Sequence, residues 1–144
     1  PTFRGEGDFF NPIRRMILDC EPNEAHYAIA RLEEKYDVKV ITQNGDDFHE
    51  RAGSTKVIHL HGEALMNTST LNPYVPFDID PNDPDIRIGD KAPDGSQIRP
   101  YVIFFNENLD YCLCKAAITA IREADVMIVI GSSLKVFPAA VEEK

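Results

Sequence analysis

Apolar residues recur at helical spacing in two stretches of the chain, and between them gather into short β-branched runs. Ala25, Ala28, Ile29 and Leu32 fall on one side of a helix predicted from Pro22 to Tyr36. Pro22 and Asn23 open it, and Glu24 sits favourably in its first turn. Ala116, Ala117, Ala120 and Ile121 mark a second helix over Cys112 to Glu123. Val38, Val40 and Ile41 form a run ending at Gln43-Asn44-Gly45, which reads as a buried strand followed by a turn. Lys56 to Leu60, Arg99 to Phe105 and the wholly apolar Val126 to Ile130 read as further strands. Residues 1–12, Gly-containing and aromatic without a period, read as a loop.

Helices alternating with fully apolar strands favour a parallel sheet covered on both faces. The expected fold is therefore α/β, a Rossmann-like doubly wound parallel sheet with a small subdomain inserted. Residues 64–98 form the insertion, because they hold most of the prolines and several aspartates and show no period. The division expected is a nucleotide-binding core of 1–63 and 99–144 around the 64–98 excursion.

The 144 residues are 43% hydrophobic and 27% charged, enough to bury an ordinary core. A net charge of −9 without a basic run argues against nucleic acid or an anionic membrane as partner. No apolar stretch approaches the roughly 20 residues a membrane helix needs. The three cysteines, Cys20, Cys112 and Cys114, are odd in number and lack framework spacing, which points to a reducing compartment and so to the cytoplasm. Structural zinc would normally bring two Cys-x-x-Cys pairs. Cys112 and Cys114 sit one residue apart on a helix and point to different sides, so zinc is not expected.

Ligands of open α/β sheets bind at the carboxyl ends of strands. Three polar clusters fall at such ends: Thr42 to Asp46, His59-Leu60-His61-Gly62, and Gly131-Ser132-Ser133. A strand running into Gly-Ser-Ser and a helix from Val136 offers N–H groups and hydroxyls to a sugar or phosphate, or is simply a helix cap. His59 and His61 alternate, so on a strand they would share a face. That suits a metal pair with His49 or Glu50 as third ligand, a general base, or one buried and one exposed histidine. Spacing does not choose among these.

Read in order, the motifs resemble the sirtuin family. They are PTFRGEG at 1–7, PNEAH at 22–26, TQNGDDFHERAGS at 42–54, VIHLHGE at 57–63, RPYVIFFNE at 99–107 and ADVMIVIGSSLKVFPAA at 124–140. The resemblance implies an NAD-dependent protein-lysine deacylase, of a bacterial type without the zinc cysteines. Such an enzyme passes the acyl group of a protein or peptide lysine to ADP-ribose and releases nicotinamide. By the same resemblance His61 is the general base, and Gln43 and Asn44 hold the nicotinamide ribose and nearby water, Asn44 taking part in catalysis. Asp46 stands at the nicotinamide pocket, Phe3 shields the reacting carbon, and Arg4 follows it in the cofactor loop. Gly131, Ser132 and Ser133 contact NAD, while Ile103, Phe105 and Val136 line the acyl-lysine tunnel.

Several positions depart from the family pattern. Gly45 replaces a branched apolar residue, which would remove one wall of the nicotinamide pocket. Asn106 replaces the Gly of a Phe-Gly-Glu turn, and Asp110 replaces a Pro. The family's Gly-Ala-Gly loop would precede Pro1 and its adenine-binding strands would follow Lys144, so the sequence is expected to be a fragment or gapped. In this family a Tyr-x-x-Arg pair marks a taste for acidic acyl groups. Asn11 stands three residues before Arg14 instead of a tyrosine, which leans towards a neutral acyl group. Two other functions fit the residues: a sirtuin-like binding module without turnover, supported by Gly45 and Asn106, and an NAD hydrolase or ADP-ribosyl transferase. Retention of Ile103, Phe105 and Val136 favours deacylation over the latter.

Overall fold

A computed structural model describes residues 6–131. The chain opens with α1 (Glu6–Asp19), followed by α2 (Glu24–Leu32), β1 (Val40–Thr42), α3 (Phe48–Arg51) and β2 (Val57–His59). Then come β3 (Gly62–Ser69), β4 (Phe77–Asp78), β5 (Ile98–Val102) and α4 (Tyr111–Glu123). β1 and β2 pair in parallel, joined by a crossover through α3, and α4 packs against β2. β3 is the centre of an antiparallel sheet ordered β4-β3-β5, with an irregular step between Glu63 and Asn67. A mixed α/β architecture with a parallel pair results, as the alternating pattern implied.

The helix starts follow from side-chain chemistry. Asn23 Oδ1 accepts from the backbone N–H groups of Ala25 (2.9 Å) and His26 (3.3 Å), and His26 Nδ1 accepts in return from Asn23 N–H at 3.2 Å. This reciprocal cap satisfies donors that a helix end otherwise leaves unpaired. Asp110, at the place where the resemblance predicts Pro, caps α4 by accepting from Cys112 N–H at 2.7 Å and Leu113 N–H at 3.3 Å.

Three expectations need correction. From Glu6 onwards the segment expected to be a loop is helix, even with Pro12 inside it. Phe10, Ile13, Arg14 and Ile17 recur at helical spacing, and tertiary contacts outweigh the hydrogen bond Pro12 cannot make. Among these contacts is Arg14, wholly buried, which donates from Nε to Ala64 O (2.7 Å), from Nη1 to Pro84 O (2.9 Å) and from Nη2 to Met66 O (2.8 Å). Burial lowers its proton affinity to about 10, partly offset by Asp85. Asn11 adds a two-way amide clamp on Ile86, donating to its carbonyl at 3.0 Å and accepting from its N–H at 2.9 Å. Second, the aperiodic stretch from residue 64 begins inside a strand, since β3 runs to Ser69. Further along this stretch, the Asp94 carboxylate accepts from Ser69 Oγ (2.6 Å), Ser96 Oγ (2.7 Å) and Asn72 Nδ2 (3.1 Å). Third, Val126–Ile130 is not a buried strand. No described strand pairs with it, and its side chains are 44–76% exposed, because no described element covers either of its faces.

Candidate functional site

The end of β1 and the turn between β2 and β3 open on a cleft of about 460 Å³. Gln43, Asn44, Gly45 and Asp46 form one side, His61 a second, and Val102 and Ile103 a third. α1 supplies Phe10, Ile13, Met16, Ile17 and Cys20, and Phe48 and Ala64 complete the lining. The wall is thus apolar with a few convergent polar groups, the usual composition of a small-molecule site.

The polar loop at the end of β1 is held through its backbone. Asn44 N–H donates to Thr42 Oγ1 at 3.1 Å, and the Gly45 carbonyl accepts from Ala64 N–H at 2.7 Å. The Asp46 carboxylate accepts from Phe48 N–H at 3.2 Å. His61 is half-buried in the turn after β2, and its carbonyl accepts from Ile103 N–H at 2.9 Å, which ties the base candidate to the far wall. Gln43 has its amide nitrogen buried with no protein partner. A buried donor left unpaired is costly, so it fits a site in which a ligand oxygen completes the bond.

His59 and His61 do not act as a pair on one strand face, because β2 ends at His59 and His61 lies in the turn beyond it. His59 is 5% exposed and placed between the Asn44 carbonyl (Nδ1, 3.0 Å) and the Glu50 carboxylate (Nε2, 2.8 Å). His49 instead stacks edge-on against His26, with centroids 4.8 Å apart, and burial, followed by the charge of His26, lowers its proton affinity. Among the described residues no group of three or more His, Cys, Asp or Glu side chains could hold a metal ion.

Of the residues singled out in the sequence, the structure brings Gln43, Asn44, Asp46, His61 and Ile103 to one cleft. Phe105 is not among them and is 99% exposed. Gly131 is exposed, with φ of 69° and open space around it. Phe3, Arg4, Ser132, Ser133 and Val136 lie outside the described residues. Gly45 does not leave a simple hole: a Cβ there would meet Ala64 N at 3.3 Å and Ala64 Cβ at 3.6 Å, so β3 itself occupies the place. Sequence reasoning missed the α1 wall, whose signal was the recurrence of apolar residues at 10, 13, 17 and 20.

The sequence matches the profile described as Sir2 family over residues 1–138. A protein of Bacteroides thetaiotaomicron named NAD-dependent protein deacylase is 40% identical over 136 residues, covering 92% of this chain and 57% of that protein. A Helicobacter pylori protein of the same name is 45% identical over 133 residues, covering 92% of this chain and 56% of that one. The chain therefore spans slightly more than half the length of these curated relatives. Among solved structures, a Sir2 homolog–NAD complex superposes with a TM-score of 0.80 at 36% identity, over 93% of this chain and 52% of that one. A Sir2–p53 peptide–NAD+ structure superposes with a TM-score of 0.73 at 35% identity, over 94% of this chain and 59% of that one.

Proposed function

The chain belongs to the Sir2 family, and we propose that it carries the catalytic cleft of an NAD-dependent protein-lysine deacylase. The convergence of His61, Gln43, Asn44 and Asp46 with Ile103 on one apolar-walled cleft, with the Gln43 amide buried and unpartnered, carries this reading. Relatives named as NAD-dependent deacylases, and relatives solved with NAD or with a peptide, support it. The substrate is an acylated lysine on a protein or peptide, rather than nucleic acid or a membrane surface, and the setting is the cytoplasm. Among the described residues no helix is long and apolar enough to cross a membrane. We assign 1–63 and 99–144 to the nucleotide-binding part and 64–98 to the smaller part, with β3 carrying the chain out and β5 back.

NAD, when bound, supplies a ribose carbon that accepts the acyl oxygen as nicotinamide departs. Gln43 and Asn44 would hold the sugar, with the Gln43 amide available as a donor to it. Asp46 faces the nicotinamide end. His61 takes a proton from a sugar hydroxyl, a role suited to a side chain whose ordinary titration lies near neutrality. Phe10, Ile13, Phe48 and Ile103 keep water from the reacting groups. Phe3, Arg4, Gly131, Ser132 and Ser133 belong to the cofactor grip, and Phe105 and Val136 to the acyl-lysine channel, in the same proposal.

The test is formation of the free-lysine peptide and of acetyl-ADP-ribose from an acetyl-lysine peptide by the full-length protein, with and without NAD, beside His61→Ala. NAD-dependent deacetylation that disappears in the variant supports the reading. Nicotinamide release without deacetylation would replace it with an NAD hydrolase.

A further inference from the structure

His59 is buried, lies outside the cleft lining, and has no part in the chemistry described above. Both of its ring nitrogens nevertheless face oxygens that can only accept: the Asn44 carbonyl at 3.0 Å and the Glu50 carboxylate at 2.8 Å. A neutral imidazole has one N–H and would set a lone pair against one of these acceptors. The geometry is satisfied when both nitrogens carry protons. The ring then links α3 to the loop at the end of β1, and its reach ends on the peptide carbonyl of Asn44 itself.

We propose that His59 is a positioning residue, an imidazolium clamped by Glu50 that fixes the Asn44 peptide and so aims the Asn44 side chain into the cleft. This rests on the reading of Asn44 as a residue of the deacylase site. The surroundings agree. From α3 the ring is faced by Glu50 and His49, and from β3 by Glu63, while β1 carries no charged residue. On α4, which also packs against β2, Lys115, Arg122 and Glu123 are exposed. Burial works against the charged ring, but the Asn44 carbonyl, Glu50 and Glu63 outweigh it and raise its proton affinity. Thr42 Oγ1 holds the N–H of Asn44 from the other side, so the peptide groups flanking this residue are anchored while its side chain is exposed to the cleft.

The discriminating variants exploit where a donor can be placed. The amide nitrogen of Asn reaches the position of Nδ1, that of Gln the position of Nε2, and Leu restores bulk without a donor. In the full-length protein, His59→Leu and His59→Gln are expected to lower kcat roughly ten- to hundredfold, the scale of a lost charge-assisted hydrogen bond. The peptide KM should stay unchanged, and His59→Asn should recover most of the loss. Equal activities of the Asn, Gln and Leu variants would overturn the proposal, since a ring that only fills space favours none of them. The ring is read independently by nitrogen NMR of labelled histidine at neutral pH. Two protonated nitrogens support the clamp, and a neutral tautomer overturns it. A wild-type protein without NAD-dependent turnover overturns the deacylase reading and the role of Asn44 with it, and the NMR result then judges the clamp alone.

Discussion

Buried Arg99 and half-buried Glu107 form a two-pronged ion pair alongside the cleft wall, with Nη1 and Nη2 each 2.7 Å from a carboxylate oxygen. The same guanidinium lies 4.5 Å over the Phe104 ring, and Phe104 meets Phe10 of α1 edge-on at 5.5 Å. Glu107 also accepts from Phe104 N–H at 3.0 Å. One pair thus ties β5, the turn after Ile103 and the helix across the cleft. Removing one partner would leave the other charge buried and unpaired, which costs far more than the pair itself contributes.

Glu107→Ala is therefore expected to lower stability by about 3–5 kcal/mol, read by urea denaturation. Acid should reveal the same pair. The Arg99 hydrogen bond is the main force holding the Glu107 carboxyl below its ordinary range. A depressed folded value means the stabilisation is complete above the unfolded value of about 4.3 and is lost as pH falls through the folded one. The variant should show a shallower loss of stability in that acid window than the wild type.

Asn106 has φ of 70° in the turn between Phe104 and Glu107, the left-handed region where Asn is tolerated and Gly unstrained. Asn106→Gly should fold as well as the wild type or better, and Asn106→Val should lose about 1–2 kcal/mol in the same denaturation experiment. The family's usual Gly and this chain's Asn are thus two answers to one backbone requirement.

That turn shows what could be read in advance. Asn in place of Gly is visible in a sequence because the conformational demand is local, and so is Asn23 as a helix cap. The parallel pair was legible for a similar reason, since Val40-Ile41 and Val57-Ile58 are β-branched runs ending in turn residues. Helix α1 was obscured by Pro12 and an aromatic start, because what holds it lies far along the chain: the carbonyls that receive Arg14 are 50 to 70 residues away. His61 and Asn44 carried motif signals. The link from His59 to Asn44 carried none, because a side chain bonded to a distant peptide carbonyl leaves no pattern in spacing.

Arg14 bears on the acyl group. Its guanidinium is committed to three backbone carbonyls, and the α1 wall of the cleft presents Phe10, Ile13, Met16 and Ile17. Among the described residues no lysine or arginine lines the cleft, and Asp46 adds negative charge. An acidic acyl chain entering this space would be desolvated without a partner among them. The expected result is that kcat/KM for an acetyl-lysine peptide exceeds that for the succinyl peptide by roughly tenfold or more. Comparable values for the two peptides would show that a cation reaches the acyl group from elsewhere. Arg14→Met should keep the preference and lose stability, because it strands the carbonyls of Ala64, Met66 and Pro84.

His49 and His59 lie in one neighbourhood with proton affinities displaced in opposite directions, so stability should peak near neutrality. For His49, burial and then the charge of His26 lower the value. Its contribution is complete above the unfolded value of about 6.5 and is lost as pH falls through the folded one. For His59, burial lowers the value, but the Asn44 carbonyl and Glu50 raise it further, and the balance is upward. Its contribution is complete below about 6.5 and is lost as pH rises through the folded value. Melting temperature against pH should therefore fall on both sides of a maximum. His59→Asn should flatten the alkaline limb and leave the acid one, and His49→Gln should do the reverse. If the alkaline limb survived in His59→Asn, a group other than His59 would be releasing the proton that matters.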